Sequence, residues 1–438
     1  MMRTSPVIPI LLLALMVSCA RSPDRRTLAE LDSVEPDLTE VQVDDGVDQA
    51  LMGYQKFLEE APESKLTPEA MRRLADLKLE KEFGTLGRPG GKNLPAHEIE
   101  DASRPSRTAT TVSPSDAAGA TESWQDFEQR VAGDESFTYA DSTEDLELPG
   151  HASENPSGPL EAIALYDEIL ENYPDYPNND QVLYQKARAF DELGRVDEAV
   201  AVTAILVSRY PSSSHIDEVQ FRRGEYFFTR RKYLEAEEAY GAVVVQGPRS
   251  EYYELALYKL GWTLYKQMML EEALEQYIAL LDYKVSVGYD FDQTEDEADQ
   301  SRIADTYRVI SLCFSDLGGT ESVGEFFDRI GKRSYEHRVY RQLGEFYLEK
   351  LRYADAASVY EAFVDLYPYH EVSPHFGMRI VEIYEAGDFP KLVLEAKKDF
   401  AADYGLRSDY WLHFDIDESP EVVSYLKQNL EDLANHYH

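Results

Sequence analysis

Apolar residues recur along most of this chain at alternating three- and four-residue spacings, the period of a helix with one buried face. The pattern is fullest between Tyr340 and Pro368. There Tyr340, Leu343, Gly344 and Tyr347 share one stripe, Tyr353, Ala356 and Tyr360 share a second, and Pro368 stops the run. Two antiparallel helices are predicted. Gly344 and Ala356 are small where the pair must approach closely, whereas the tyrosines and Leu343 are large enough to fill the space toward a neighbouring hairpin. A lone hairpin leaves its apolar face in water, so the pattern requires others stacked against it.

Similar sets precede it. Leu183, Ala187, Phe190, Gly194, Ala199, Leu206 and Pro211 form one; Gly224, Phe227, Tyr233, Ala236, Tyr240 and Pro248 a second; Leu257, Leu260, Gly261, Leu264, Ala273, Tyr277 and Leu280 a third. Their small residues Ala187, Gly224 and Gly261 follow one another at 37-residue intervals. Fainter versions run through Tyr307, Ile310, Ser311, Phe314, Gly318, Val323 and Phe327, and through Met378, Ile380, Val381, Tyr384, Val393 and Phe400, with Gly387-Asp388 as the turn. Nearer the start, Ala50, Tyr54 and Phe57 share a face closed by Pro62. Thr67-Pro68-Glu69-Ala70 then opens a helix, with Thr67 as N-cap, that continues through Met71, Leu74, Ala75 and Leu79. Its expected partner, Leu160, Ala162, Tyr166 and Ile169 before Pro174, comes only after a long stretch rich in Gly, Pro, Ser, Thr and acid. Loop-closure entropy grows only logarithmically with length, so the two halves are expected to pair across that stretch. Within it, Trp124 and Phe127 are isolated aromatics, either a short binding segment or a transient helix.

These positions resemble the tetratricopeptide repeat, a two-helix unit of roughly 34 residues whose first helix reads W-x2-L-G-x2-Y and whose end is a proline. The resemblance implies an all-α fold, a superhelix of helix hairpins (an α-solenoid), here with a disordered N-terminal tether and a long disordered insertion. The expected organisation is a signal peptide at 1–18, a tether at 19–47, repeat-like helices at 48–83, a disordered acidic insertion at 84–157 and repeats at 158–282. An acidic loop at 283–300 and further repeats at 301–403 follow. Residues 404–438 are expected to be irregular and to end in the unpaired first helix of another repeat, through Leu430, Leu433, Ala434 and Tyr437. That ending suggests either a portion of a longer repeat protein or a face covered by a partner.

The N-terminus changes the picture. Arg3 precedes an apolar run from Val7 to Val17, too short to span a bilayer as a mature helix, which reads as a secretory signal. Leu15-Met16-Val17-Ser18-Cys19 resembles the lipobox of bacterial lipoproteins, with Met16 in place of the usual leucine; the alternative is an ordinary signal peptide with a chance cysteine. The resemblance implies lipidation at Cys19. Ala20, where an aspartate would favour retention at the inner membrane, then favours the periplasmic face of the outer membrane. Together with Tyr210-Pro211-Ser212-Ser213-Ser214, Arg223-Gly224-Glu225-Tyr226-Phe227-Phe228, Tyr233 and Ala236, Cys19 makes the chain similar to bacterial outer-membrane tetratricopeptide lipoproteins.

Charge narrows the partners. The formal net charge of −40 repels a phosphate backbone, which argues against nucleic acid. The two cysteines, Cys19 and Cys313, build no disulfide framework, and Cys313 among apolar neighbours reads as a structural thiol. Asp290 to Asp296 superficially suggests a calcium loop, but Glu295 stands where glycine is needed and Ser301 where a bidentate glutamate is needed, so a solvated loop is expected. His436 and His438 stand two apart and point differently on a helix. No phosphate loop, zinc spacing or nucleophile elbow is present, so neither enzymatic activity, metal, cofactor nor small-molecule substrate is expected.

A protein-binding groove is expected instead. Placed on the family pattern, Tyr184, Arg188, Phe221, Glu225, Phe228, Tyr258, Trp262, Tyr265, Arg308 and Arg341 fall on the concave face of the first helices; the same aromatics equally suit packing between hairpins. The resulting reading is a lipid-anchored scaffold for envelope proteins or peptide segments. A motility or secretion-complex component, and the superhelical part of a longer peptidoglycan-acting enzyme, are the alternatives.

Overall fold

The computed structural model describes residues 46–61, 63–83, 157–293 and 297–437, and among these every regular element is a helix. Cys19, the tether, and Trp124 and Phe127 lie outside the described residues. The chain divides into two compact units, Met1–Gly53 and Tyr54–His438. Helix α1 (Gly46–Glu60) begins in the first and ends in the second. Phe57, expected on its inward face, is exposed, and Leu58 is the residue packed against the core.

The second unit is a stack of antiparallel hairpins. Among the described residues these are α2 (Thr67–Phe83) with α3 (Ser157–Asn172), α4 (Asn179–Glu192) with α5 (Val196–Arg209), α6 (Ile216–Thr229) with α7 (Tyr233–Gln246), and α8 (Tyr253–Lys266) with α9 (Leu270–Ser286). They continue as α10 (Glu297–Leu317) with α11 (Thr320–Ile330), α12 (Glu336–Glu349) with α13 (Tyr353–Leu366), and α14 (Ser373–Ala386) with α15 (Pro390–Asp403), before α16 (Pro420–Tyr437). Glycine sets the approach of the helices in three of them. A Cβ on Gly224 would fall 2.4 Å from the Tyr240 ring, one on Gly261 2.7 Å from Tyr277, and one on Gly344 2.5 Å from Tyr360. The three tyrosines are among the largest fully buried side chains. Hairpin α10–α11 lacks that lock: Ser311 and Phe327 stand at the same register, α11 has only 11 residues, and α12 packs directly on α10.

Turns inside the hairpins are closed alike. The N–H of Arg195, Lys232, Met269, Arg352 and Phe389 each donates to the carbonyl five residues earlier, and the residue before each donor is left-handed. Of these five, Gly194 is the glycine; the others are Arg231, Met268, Leu351 and Asp388. Leu351, at φ 57° and 69% exposed, gains little packing in return for this conformation. Leu351→Gly is therefore expected to stabilise the protein by about 1 kcal/mol, read as a higher midpoint in urea unfolding.

The first hairpin closes across residues 84–156. Met71, Ala75 and Leu79 of α2 bury against Ala162, Tyr166 and Ile169 of α3, and Tyr166 Oη donates to Asp76 Oδ1 at 2.7 Å. Leu160, expected in that stripe, is exposed. Thr67 is not the expected N-cap: its Oγ1 accepts the Ser64 N–H instead of one from its own helix. The acidic loop is shorter than 283–300, because α9 runs to Ser286 and α10 starts at Glu297. The C-terminal helix is longer and differently faced than expected. Val422, Leu426 and Asn429 bury against α14 and α15, Lys397 of α15 pairs with Asp432, and Leu430, Ala434 and Tyr437 face outward.

Candidate protein-binding face

The first helices of successive hairpins are joined to one another by polar side chains. Arg222 of α6 reaches Asp191 of α4 at 3.6 Å, Lys259 of α8 reaches Glu225 of α6 at 3.1 Å, and Arg302 of α10 reaches Glu254 of α8 at 2.7 Å. Arg379 of α14 reaches Glu345 of α12 at 2.8 Å. Two of these contacts belong to a recurring clasp. The residue after the close-approach glycine is an acid, the buried tyrosine of the second helix donates to it, and a cation 34 residues on holds it from the next hairpin. Tyr240, Glu225 and Lys259 form one clasp, and Tyr360, Glu345 and Arg379 the other. Burial first, then the Glu345 carboxylate, pushes the Tyr360 phenol far above its ordinary range, so it stays a donor. In the first hairpin Ala75 and Asp76 take the small and acidic places, with Tyr166 donating.

Trp262 breaks the series. It stands where Glu225 and Glu345 stand, and the fully buried hydroxyl of Tyr277 has no hydrogen-bond partner among the described residues. Tyr258, Trp262, Tyr265 and Tyr277 form a knot of edge-to-face rings, with centroids 5.8 to 6.5 Å apart.

The structure separates the predicted groove residues into two sets. Tyr184, Phe221, Phe228 and Trp262 are buried: Tyr184 stacks on His215 and donates to Glu218, while Phe221 packs against Tyr240 and Tyr252. They are packing residues, because a first helix must also fill the gap to the next hairpin. Arg188, Glu225, Tyr258, Tyr265 and Arg308 are half-buried, and Arg341 is exposed. Tyr258 reaches Asp305 at 3.4 Å, Arg308 lies 4.0 Å from the same residue, and Arg341 lies over the Phe376 ring. These six bring aromatic and charged groups to one face of the first helices. Sequence reasoning missed Lys259, Glu345 and Arg379; an acid directly after the glycine was the available signal.

Among the described residues no group of three or more His, Cys, Asp or Glu is placed to hold a metal ion. A cleft of about 340 Å³ lies away from this face, between α14, α15 and α16, and its Lys397 is already engaged by Glu385 and Asp432. Burial pushes the Cys313 thiol far above its usual range, as an inert structural cysteine requires.

A sequence profile of the tetratricopeptide repeat matches residues 181–213, which cover most of α4, all of α5 and part of the turn after it. The chain carries a tetratricopeptide repeat at these residues. Hairpins α6–α7, α8–α9 and α12–α13 fill the glycine and tyrosine places that the matched hairpin leaves to Ala187 and Thr203. No curated protein sequence matches the chain. Among solved structures, it is similar to a MamA double mutant at 20% identity over 40% of this chain and 84% of that one, with a TM-score of 0.27. A tetratricopeptide repeat protein from Parabacteroides merdae matches at 12% identity over 70% and 99%, with a TM-score of 0.28. A structure of Naa15/Naa10 bound to HypK-THB matches at 12% identity over 88% and 47%, with a TM-score of 0.35. Tetratricopeptide repeats of this kind serve as protein-interaction scaffolds.

Proposed function

We propose that this protein is a lipid-anchored, non-enzymatic scaffold on the periplasmic face of the bacterial outer membrane, binding segments of envelope proteins along its first helices. The observation that carries the binding role is the run of aromatic and charged residues on that face, half-buried at Arg188 and Tyr265 and exposed at Arg341. Anchored aromatics beside arginines supply contact area and charge-assisted hydrogen bonds, which protein interfaces favour. The anchor rests on Cys19 directly after the apolar run. Several acyl chains, each gaining about 0.8 kcal/mol per buried CH₂, hold a protein to a bilayer without a transmembrane helix.

Two results test this reading. Cys19→Ser is expected to move the protein from the outer-membrane fraction to the soluble fraction of fractionated cells; a protein that stays with the membrane contradicts the anchor. Pull-down from solubilised membranes is expected to recover envelope proteins with the wild type and to lose them with the Arg188→Glu, Arg341→Glu double variant. Arg341 is exposed and Arg188 half-buried, so unchanged helix content is checked first, and an unchanged set of captured proteins then contradicts the proposed face.

A further inference from the structure

Between α9 and α10 the chain does not simply loop through solvent. Gly288, at φ 79°, turns it back, the Tyr289 N–H donates to Lys284 O, and Asp290 Oδ1 accepts the Asp292 N–H, forming a short strap. Phe291 at its centre sits 5.1 Å from the Tyr289 ring, 6.4 Å from Tyr307 and 6.2 Å from Tyr335, with the Arg338 guanidinium 5.4 Å from its centroid. Asp292 pairs with the same Arg338, although the carboxylate is 69% exposed. An aromatic flanked by two carboxylates thus rests in a seat of tyrosines and an arginine.

The seat is incompletely used. Tyr307 is only 8% exposed, yet its hydroxyl has no hydrogen-bond partner among the described residues. Arg341, one turn beyond Arg338 on α12, is exposed and forms no ion pair among them. Both groups belong to first helices, on the face described above. Tyr289 is fixed by its backbone hydrogen bond and by Lys284 over its ring. An ion pair with a largely exposed carboxylate such as Asp292 contributes little to stability, so the strap beyond Tyr289 is held mainly by the Phe291 ring and is easily displaced.

We infer that the strap occupies, in cis, the docking site of a partner segment with the same chemistry: a phenylalanine flanked by aspartate or glutamate, from another protein. Such a segment replaces Phe291 on Tyr307 and Tyr335, and its carboxylates engage Arg338 and Arg341. A carbonyl or carboxylate oxygen can also accept the stranded Tyr307 hydroxyl, which the strap leaves unsatisfied. The inference rests on the scaffold reading and names the chemistry of one partner. It also makes the site self-limiting, since a ligand must first compete with the strap.

The test uses a fluorescent peptide copying residues 287–293, titrated into the full chain. Phe291→Ala empties the seat and is expected to bind the peptide roughly tenfold more tightly than wild type, the factor set by how rarely the strap is off. Adding Arg338→Glu is expected to abolish binding, and a peptide with alanine in place of its phenylalanine is expected not to bind. Equal or absent binding to wild type and Phe291→Ala, with helix content unchanged, overturns the inference. Should Phe291→Ala lose helix content, Asp292→Lys, which breaks only the exposed pair, is expected to raise peptide affinity in the same direction; no rise overturns it too. Capture of envelope proteins in the pull-down without binding of this peptide retains the scaffold reading and removes only the strap's role.

Discussion

Gly224→Leu is expected to destabilise the protein by about 3 kcal/mol, the upper part of the range for overpacking a close-packed interior. Even a single Cβ at that position would fall 2.4 Å from the Tyr240 ring, far inside van der Waals contact. Tyr240 cannot simply swing away. Its ring is fully buried, packs edge-on against Phe221, and its hydroxyl is held by Glu225. Leucine therefore has to push α6 and α7 apart, breaking the clasp to Lys259 and disturbing the next hairpin. Gly241, in the adjoining helix α7, is the control. Nothing lies within 4 Å of its added Cβ, so Gly241→Ala is expected to stabilise by about 0.5 to 1 kcal/mol through helix propensity. Urea unfolding of the two variants should show shifts of opposite sign; loss of stability in both, or in neither, contradicts the helix register described here.

Removing the Arg72 side chain is expected to cost about 3 to 5 kcal/mol, because it strands a buried carboxylate. Arg72 is 2% exposed and lies 2.8 Å from Glu69 and 2.7 Å from Asp76, while its Nε donates to Tyr176 Oη at 3.4 Å. Asp76 also accepts from Tyr166, so the guanidinium ties α2 to α3 and to the turn before α4. Burial raises the Asp76 carboxyl above its ordinary value although the Tyr166 hydroxyl and Arg72 both favour its charge, and without the arginine the Tyr166 hydrogen bond is left as the main group opposing burial. In Arg72→Ala, hydrogen exchange should lose protection in α2 and α3 first and leave α12 and α13 near wild type, as nearest-neighbour stacking requires. The same cluster gives a pH dependence. Burial raises the Glu69 carboxyl, but hydrogen bonds from Arg72, Tyr176 and Arg73 outweigh it and hold the group at about 2. A depressed folded-state value contributes stability that is full above the unfolded value of about 4.3 and is lost as pH falls toward 2.

How much of this was legible in the sequence differs from element to element. The hairpins were, because Gly224, Gly261 and Gly344 each precede a tyrosine by 16 residues and the contact needs that pairing of small with large. The pairing of α2 with α3 was legible from their complementary stripes despite the intervening 84–156. The division of the first-helix face was not. Phe221, Phe228 and Trp262 occupy family positions that point inward in a generic repeat, but their size here lets them fill the gap to the following hairpin instead. The clasps were hidden because an acid after glycine looks like ordinary surface until the tyrosine and the distant cation are seen to converge on it. Phe291 was passed over as part of an acidic loop, although a single aromatic among carboxylates is itself a signal for docking. At the end of the chain, Leu430 and Tyr437 fit the repeat pattern by spacing, yet Val422, Leu426 and Asn429 form the packed face, one helical step away.

The central claim is that partners are bound on the face of the first helices, and site-specific photocrosslinking in cells tests it most directly. A photoreactive residue is placed in turn at Arg188, Tyr265 and Arg341 on that face, and at Ile205 and Glu237 on the second helices. The account predicts discrete higher-mass adducts containing an envelope protein from the first three positions and none from the last two. Adducts from Ile205 or Glu237 alone would place the binding surface on the opposite layer and contradict it.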